Sequence, residues 1–181
     1  MIIYLDMDGV IANFFDGFAK INGKKHWKEI EDCEAKIKEL ANTDFFNTLE
    51  PYPTSVPLVD FIKDIAGPDW GICSSPLRGD TKNSAFWKEE WLKNHEFIPP
   101  EKENLIFTHN KAKFAKKNGL PNVLIDDKPD NIKAWQDAGG IGIRYQANED
   151  SLKDVCQAVK MNMALGDILS RMPEEELQVQ A

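Results

Sequence analysis

Five short apolar runs, each followed by polar or turn residues, predict the strands of one sheet. These runs cover residues 2–5, 70–73, 105–107, 123–125 and 141–145. Their apolar residues are continuous rather than alternating, which is typical of strands that are buried on both faces of a parallel sheet. Segments with apolar residues at helical spacing lie between the runs, for example from Leu58 to Ile65. The alternation of strands and helices predicts an α/β protein with a doubly wound parallel sheet.

The interval between the first two runs is longer than this fold requires. About 60 residues separate residue 5 from Trp70, whereas a complete strand–helix–strand unit needs only about 30. The segment 15–50 is therefore surplus, and its apolar residues from Trp27 to Leu40 recur at helical spacing. We interpret this segment as a small helical cap over one end of the sheet. The alternative is a long crossover that carries an ordinary surface helix.

This interpretation divides the chain into three parts. Residues 1–14 and 51–165 would form the α/β core, and residues 15–50 would form the cap. Residues 166–181 include three consecutive glutamates and are predicted to be an acidic, poorly ordered tail.

Composition and charge narrow the class of protein. The chain has 181 residues, of which 42% are hydrophobic and 29% charged, as is ordinary for a single globular domain. It carries 22 Lys and Arg against 30 Asp and Glu, a net charge of −8, so polymeric nucleic acid is not an expected partner. Its three cysteines are far apart, and no apolar run reaches the roughly 18 residues of a membrane span. We therefore expect a protein of the reducing cytoplasm with no membrane partner.

Polar side chains follow four of the predicted strands at their carboxyl ends, and they are Asp6, Asp8, Ser74, Ser75, Lys111, Asp126 and Asp127. In open α/β sheets, ligands bind at this edge. Four carboxylates would repel one another there without a hard cation, and oxygen ligands at this density favour Mg²⁺. A lysine and two hydroxyls are suited to a phosphate dianion. The set therefore indicates phosphoryl transfer.

Each of these signals also has a purely structural explanation. An acidic pair such as Asp6 and Asp8 can form a turn or cap a helix, and Lys111 can be one more solvated lysine beside Lys113. Aromatic residues of a small insert, such as Phe14 and Phe46, are more often packing residues than binding residues.

Three other residues, His26, His95 and Cys73, show no grouping typical of metal ligands and are interpreted as structural. Trp27 could line the inner face of the cap or anchor the cap, and we expect it to be an anchor.

The order of these motifs resembles the haloacid dehalogenase-like phosphohydrolases, and within that superfamily the 5′(3′)-deoxyribonucleotidases. The matching stretches are 6–14, 45–46 followed by 49–51, 72–76 and 124–127. The resemblance extends over roughly residues 1–145. The chain departs from the family pattern in its short helical insert and at His109, where relatives usually carry an arginine two residues before the lysine.

The resemblance implies roles for the four aspartates. Asp6 would be the nucleophile that forms an aspartyl-phosphate. Asp8 would protonate the leaving oxygen and then take a proton from the attacking water. Mg²⁺ would be held by the Asp6 carboxylate, the main-chain carbonyl of Asp8 and Asp127, with Asp126 in a supporting position.

The resemblance also implies how a substrate binds. Ser74 and Ser75 would donate hydrogen bonds to the phosphate, and Lys111 would bridge the phosphate and the nucleophile. Phe14 and Phe46 would stack on the nucleobase.

The expected function is therefore Mg²⁺-dependent hydrolysis of deoxyribonucleoside monophosphates by a cytoplasmic enzyme. One alternative is a phosphatase with the same machinery that acts on another small phosphate ester or on a nucleic-acid end. The other alternative is a non-catalytic, metal-binding regulatory domain. The substrate is expected to be a small molecule, and the sequence leaves a homodimer open.

Overall fold

The computed structural model describes residues 1–170, and it confirms the five predicted strands within one residue at each end. The strands are β1 (Ile3–Leu5), β2 (Trp70–Ser74), β3 (Leu105–Phe107), β4 (Lys116–Lys117), β5 (Leu120–Pro121), β6 (Val123–Asp126) and β7 (Ile141–Arg144). The short strands β4 and β5 were not predicted. They form a separate antiparallel hairpin whose turn consists of Asn118 and Gly119, both with positive φ.

The other five strands form one parallel sheet in the order β3-β2-β1-β6-β7, which confirms the predicted fold class. The central strand β1 is buried along its whole length. Its last residue, Leu5, is in register with Ile72 of β2 and Ile125 of β6. The residues that follow these strands therefore meet at one edge of the sheet.

Helices connect the strands: α1 (Phe14–Ile21), α2 (Cys33–Lys38), α3 (Ser55–Ala66), α4 (Thr81–Asn94), α5 (Pro129–Asp137) and α6 (Leu152–Ser170). None of the helices in the described residues is both long and apolar enough to cross a membrane. Helix α6 extends into the segment predicted as the acidic tail, and the rest of that tail, residues 171–181, lies outside the described residues.

The segment predicted as a cap contains short helical elements rather than one helix. A 3₁₀ turn at Trp27–Glu29 is separated from α2 by Asp32, whose backbone is left-handed with φ of 50°. The Asp32 carboxylate accepts a hydrogen bond from Ala35 N and so begins α2 as a new helix. A second 3₁₀ turn covers Phe45–Thr48. The division of the chain into a core and a cap stays a prediction.

Helix α4 is tied to this second turn by a buried tryptophan. The Trp91 indole N–H donates to the carbonyl oxygen of Leu49 at 2.6 Å, and Trp91 is fully buried. This contact satisfies a polar group inside the core. It holds α4 and the Phe45–Thr48 turn together above the carboxyl edge of the sheet.

Candidate active site

The structure brings all seven polar residues of the predicted site together at the carboxyl edge of the sheet: Asp6, Asp8, Ser74, Ser75, Lys111, Asp126 and Asp127. A cavity of about 510 Å³ opens over them. Asp6, Asp8, Ser75 and Asp127 line its floor directly. Its volume lies within the range of small-ligand sites.

Asp6 is a buried carboxylate with a fixed orientation. Its Oδ1 accepts a hydrogen bond from Met7 N at 2.7 Å, and its Oδ2 lies 2.9 Å from Lys111 Nζ. Burial alone would raise the pKa of Asp6, but the ammonium groups of Lys111 and Lys88 outweigh burial and hold the pKa below its usual range. Asp6 is therefore ionised, as a carboxylate nucleophile must be.

Lys111 is not a solvated surface lysine. Its side chain is 3% exposed, and Nζ contacts Asp126 Oδ2 at 2.5 Å as well as Asp6. Burial lowers the pKa of Lys111, but the two carboxylates outweigh burial and raise it above the usual range. The ammonium thus stays charged beside the carboxylate predicted to be the nucleophile.

The two consecutive aspartates differ in their hydrogen bonds. Both oxygens of Asp126 are used, by Lys111, by the backbone N–H of Lys128 and by the Asn131 side chain. Asp127 Oδ1, in contrast, is buried and has no hydrogen-bond partner among the described residues. Burial, and then the charges of neighbouring carboxylates, raise the pKa of Asp127 to about 8.

This arrangement fits a divalent cation. Asp6, Asp126 and Asp127 can each present one carboxylate oxygen, and these oxygens lie within 4.8 Å of one another. An all-oxygen donor set is what Mg²⁺ prefers. A cation here would also compensate the charge of Asp127 and occupy its free oxygen.

Gly9 allows the chain to pass close to Asp127. Its φ is +80°, and a Cβ atom at this position would lie 2.7 Å from Asp127 Oδ2.

We expect Gly9→Ala to lower the free energy of unfolding in urea by about 2–3 kcal/mol, since it combines backbone strain with a clash. Gly23→Ala is the matched control, because φ is +64° there but nothing lies within 4 Å. It should cost only about 1 kcal/mol. Equal losses in the two variants would show that the approach to Asp127 is unimportant.

Sequence reasoning missed Lys88, which the structure places inside the site. Its side chain is fully buried, and Nζ donates to Asp8 Oδ2 at 2.7 Å and to Ser74 Oγ at 3.0 Å. A signal was present in the sequence. Lys88 lies three and four residues before Trp91 and Leu92, on the buried stripe of α4. A lysine at a core position of a helix requires a partner.

Aromatic side chains form one wall of the cavity, and the residues are Phe14, Phe15, Phe18, Trp27 and Phe46. The rings of Phe14 and Phe46 are nearly parallel, with centroids 6.5 Å apart. Phe46 is only 4% exposed, whereas Phe14 is half-buried. Trp27 stacks on Phe15 and also lines the cavity. It is therefore a residue of the cavity wall as well as an anchor of the predicted cap.

The residues interpreted as structural have local partners. His26 Nδ1 accepts a hydrogen bond from Lys28 N at the start of a 3₁₀ turn, and His95 contacts the Trp91 carbonyl oxygen. Burial raises the pKa of Cys73 to about 12, which keeps the thiol neutral. His109 lies at the rim of the cavity and is exposed.

The fold and the arrangement of these side chains place the chain in the haloacid dehalogenase superfamily, as the motifs predicted. The family model described as "5′ nucleotidase, deoxy (Pyrimidine), cytosolic type C protein" matches residues 1–160. The chain belongs to this family, which confirms the resemblance to the deoxyribonucleotidases.

Two curated relatives are the mitochondrial 5′(3′)-deoxyribonucleotidases of Mus musculus and Homo sapiens. Each is 28% identical to this chain over 149 residues, and each match covers 71% of the chain. The matches cover 64% of the mouse protein and 62% of the human protein, so the chain spans less than two thirds of the length of these relatives.

Two solved structures are also similar. One is a haloacid dehalogenase-like hydrolase of Streptococcus pneumoniae, with a TM-score of 0.44, 12% identity, and 78% of this chain and 82% of the other covered. The other is a haloacid dehalogenase family enzyme of Bacteroides thetaiotaomicron in complex with magnesium and inorganic phosphate. Its TM-score is 0.44, its identity 15%, and the match covers 83% of this chain and 96% of the other.

Proposed function

We propose that this protein is a Mg²⁺-dependent phosphomonoesterase that hydrolyses deoxyribonucleoside monophosphates. The observation that carries the proposal is the buried, ionised Asp6, held by Lys111 at the end of the central strand and facing a cavity of about 510 Å³. Membership of the nucleotidase family and the activities named for the two mammalian relatives support it.

The proposed reaction has two steps. A carboxylate oxygen of Asp6 attacks phosphorus and forms an aspartyl-phosphate, while Asp8 gives its proton to the departing nucleoside oxygen. Water then attacks the aspartyl-phosphate, and Asp8 takes the proton of that water. Lys111 keeps the Asp6 carboxylate oriented toward the cavity and offers positive charge to the phosphate.

Three groups would hold Mg²⁺: the carboxylates of Asp6 and Asp127 and the main-chain carbonyl of Asp8. The bound cation supplies charge compensation between the carboxylates and the phosphate dianion. Asp126 would support the site without binding the cation directly, because its oxygens accept hydrogen bonds from Lys111 and from the backbone N–H of Lys128 at the start of α5. Ser75, which lines the cavity, would donate to the phosphate, whereas Ser74 is fully buried and its Oγ accepts a hydrogen bond from Lys88.

A panel of substrates tests the proposed function. Purified protein should release phosphate from deoxyribonucleoside monophosphates in the presence of Mg²⁺, with a kcat/KM above those for ribonucleotides and sugar phosphates. Faster turnover of a sugar phosphate or of a phosphorylated DNA end would instead favour a different small ester or a nucleic-acid end as substrate. Release of phosphate from none of these compounds would leave the non-catalytic alternative.

The aromatic wall provides a test of nucleobase binding. Phe14→Ala should lower kcat/KM for a deoxynucleotide roughly 5- to 150-fold, because stacking of a base on an aromatic ring contributes about 1–3 kcal/mol. An aryl phosphate that carries no base should lose little. Phe14 is a better choice than Phe46 for this test, because Lys88 Nζ lies 4.8 Å from the Phe46 ring centroid and truncation there would disturb Lys88.

Phe45→Ala is the matched control for Phe14→Ala. Phe45 is buried and its ring packs edge-on against Phe14, but it is not among the residues that line the cavity. Truncation of Phe45 should affect both substrates alike, through stability. The same uniform loss in Phe14→Ala would show that Phe14 is a packing residue and contributes nothing to base recognition.

A cytoplasmic location is part of the proposal and is supported by three cysteines that are all free thiols, Cys33, Cys73 and Cys156. The homodimer stays a prediction, which the mass of the protein in solution would test.

A further inference from the structure

Lys88 reaches the active site from the middle of α4, and its burial requires an explanation. Its side chain is 0% exposed, although lysine is almost never fully buried without a partner. Removing an ammonium from water is costly, and an apolar side chain would fill the same space without that cost. We therefore expect the positive charge of Lys88 to have a function in the active site.

The hydrogen bonds of Lys88 exclude one role for its charge, which is direct binding of phosphate. An ammonium has three N–H donors, and Nζ finds three acceptors: Asp8 Oδ2 at 2.7 Å, Ser74 Oγ at 3.0 Å and the Ser75 carbonyl oxygen at 3.0 Å. The Phe46 ring, 4.8 Å away, covers a further side of the ammonium. Lys88 thus has no donor left for a phosphate oxygen.

The two oxygens of the Asp8 carboxylate differ in their hydrogen bonds. Oδ2 is held by Lys88, whereas Oδ1 is buried and has no partner within the part of the chain that the structure describes. Asp8 as a whole lines the cavity and its side chain is 28% exposed. The exposed part of the side chain therefore lies at its other atoms, and the contact with Lys88 fixes the orientation in which Asp8 lines the cavity.

We propose that Lys88 is the positioning residue of Asp8, a role that rests on the proposed function. By holding Oδ2, it fixes the orientation of the Asp8 carboxylate at the cavity. As the bond between phosphorus and the nucleoside oxygen breaks and the bond to Asp6 forms, the proton of the Asp8 carboxyl group passes to the nucleoside oxygen. When water later displaces Asp6 from phosphorus, the Asp8 carboxylate takes the proton of that water.

Lys88→Met tests this role, because methionine keeps an unbranched side chain but has no N–H donor. Two substrates are compared on the same preparation: a deoxynucleotide, whose leaving oxygen needs a proton, and 4-nitrophenyl phosphate, whose leaving group does not. Lys93→Met is the matched control, since Lys93 lies on the same helix and its ion pairs with Glu89 and Glu90 are exposed.

Lys88→Met should lower kcat/KM for the nucleotide about 100-fold, within the range of general acid catalysis. The kcat/KM for 4-nitrophenyl phosphate should change less than about threefold, because it reports only on the first step. Nitrophenolate should then appear in a burst of about one equivalent per active site, since the aspartyl-phosphate must wait for a water that Asp8 no longer deprotonates well. Lys93→Met should resemble the wild-type protein in all three measurements.

The inhibition constant of inorganic phosphate separates positioning from phosphate binding. It should stay within about twofold of the wild-type value in Lys88→Met, because Lys88 has no donor free for phosphate. A large rise, or an equal loss of kcat/KM on both substrates, would overturn the proposal.

Partial unfolding of the Lys88→Met variant does not affect the comparison of the two substrates. The ratio of the two kcat/KM values is measured on one sample, so the fraction of folded molecules cancels. If the wild-type protein hydrolyses neither substrate, the proposed function fails. If the wild-type protein hydrolyses both and the ratio is unchanged in Lys88→Met, the positioning role alone fails.

Discussion

Asp6→Asn is expected to abolish turnover, with kcat lowered by at least about 10³-fold, as is found when other covalent nucleophiles are removed. Asparagine keeps the shape of the side chain but has only one oxygen and no charge. In the wild-type protein, one oxygen of Asp6 accepts from Met7 N and the other faces Lys111. The amide nitrogen of asparagine must therefore meet a donor on one of these two sides.

This conflict should also lower stability, by about 1–3 kcal/mol for the hydrogen bond that is lost. Activity must consequently be measured at a temperature at which circular dichroism shows the variant to be folded. Asp16→Asn is a suitable control, since Asp16 is exposed in the first turn of α1 and lies outside the residues that line the cavity. If folded Asp6→Asn retained more than a tenth of wild-type activity, Asp6 would not be the nucleophile.

Removal of Mg²⁺ should have an effect of similar size. An excess of chelator is expected to stop phosphate release, because the carboxylates of Asp6 and Asp127 would then face a phosphate dianion, and the Lys111 ammonium beside Asp6 would not offset both charges. Added Mg²⁺ should restore activity. Ca²⁺ should restore it poorly, since its larger and looser coordination shell would misplace the Asp6 carboxylate. Full activity in excess chelator would refute the mechanism.

A binding measurement makes this test independent of turnover. At 100 times its dissociation constant, a ligand stabilises the folded state by about 2.7 kcal/mol, which corresponds to a rise in Tm of roughly 5–10 °C for a chain of this size. We expect this rise for the wild-type protein in Mg²⁺. Asp127→Asn should lose most of it, because Asp127 Oδ1 is buried and makes no hydrogen bond within the described part of the chain. Asp130→Asn, at an exposed position of α5, should keep it.

Much of the fold follows from local patterns. Continuous apolar runs predicted all five strands of the main sheet, because strands covered on both faces by helices have no polar side. The polar residues at the ends of these runs predicted the site, since a parallel sheet brings the carboxyl ends of its strands to one edge. Asp6 and Asp126 therefore became neighbours by register alone.

Other features depended on contacts that no local pattern reports. Apolar residues from Trp27 to Leu40 recur at helical spacing, but the spacing does not show that Asp32 adopts a left-handed backbone and separates a 3₁₀ turn from a new helix. The consecutive aspartates Asp126 and Asp127 likewise looked equivalent in sequence. The positions of Lys111 and Asn131 show that both oxygens of Asp126 are hydrogen-bonded, whereas Asp127 Oδ1 has no hydrogen-bond partner among the residues that the structure describes.

The clearest difference between sequence and structure concerns Lys88. It lies 80 residues from Asp8 along the chain, and nothing near either residue in sequence indicates that they meet. Local periodicity determined which faces are apolar and where strands end, because these depend on neighbouring residues. Which ammonium reaches which carboxylate depends on how α4 packs over the sheet, and that was decided only by the tertiary structure.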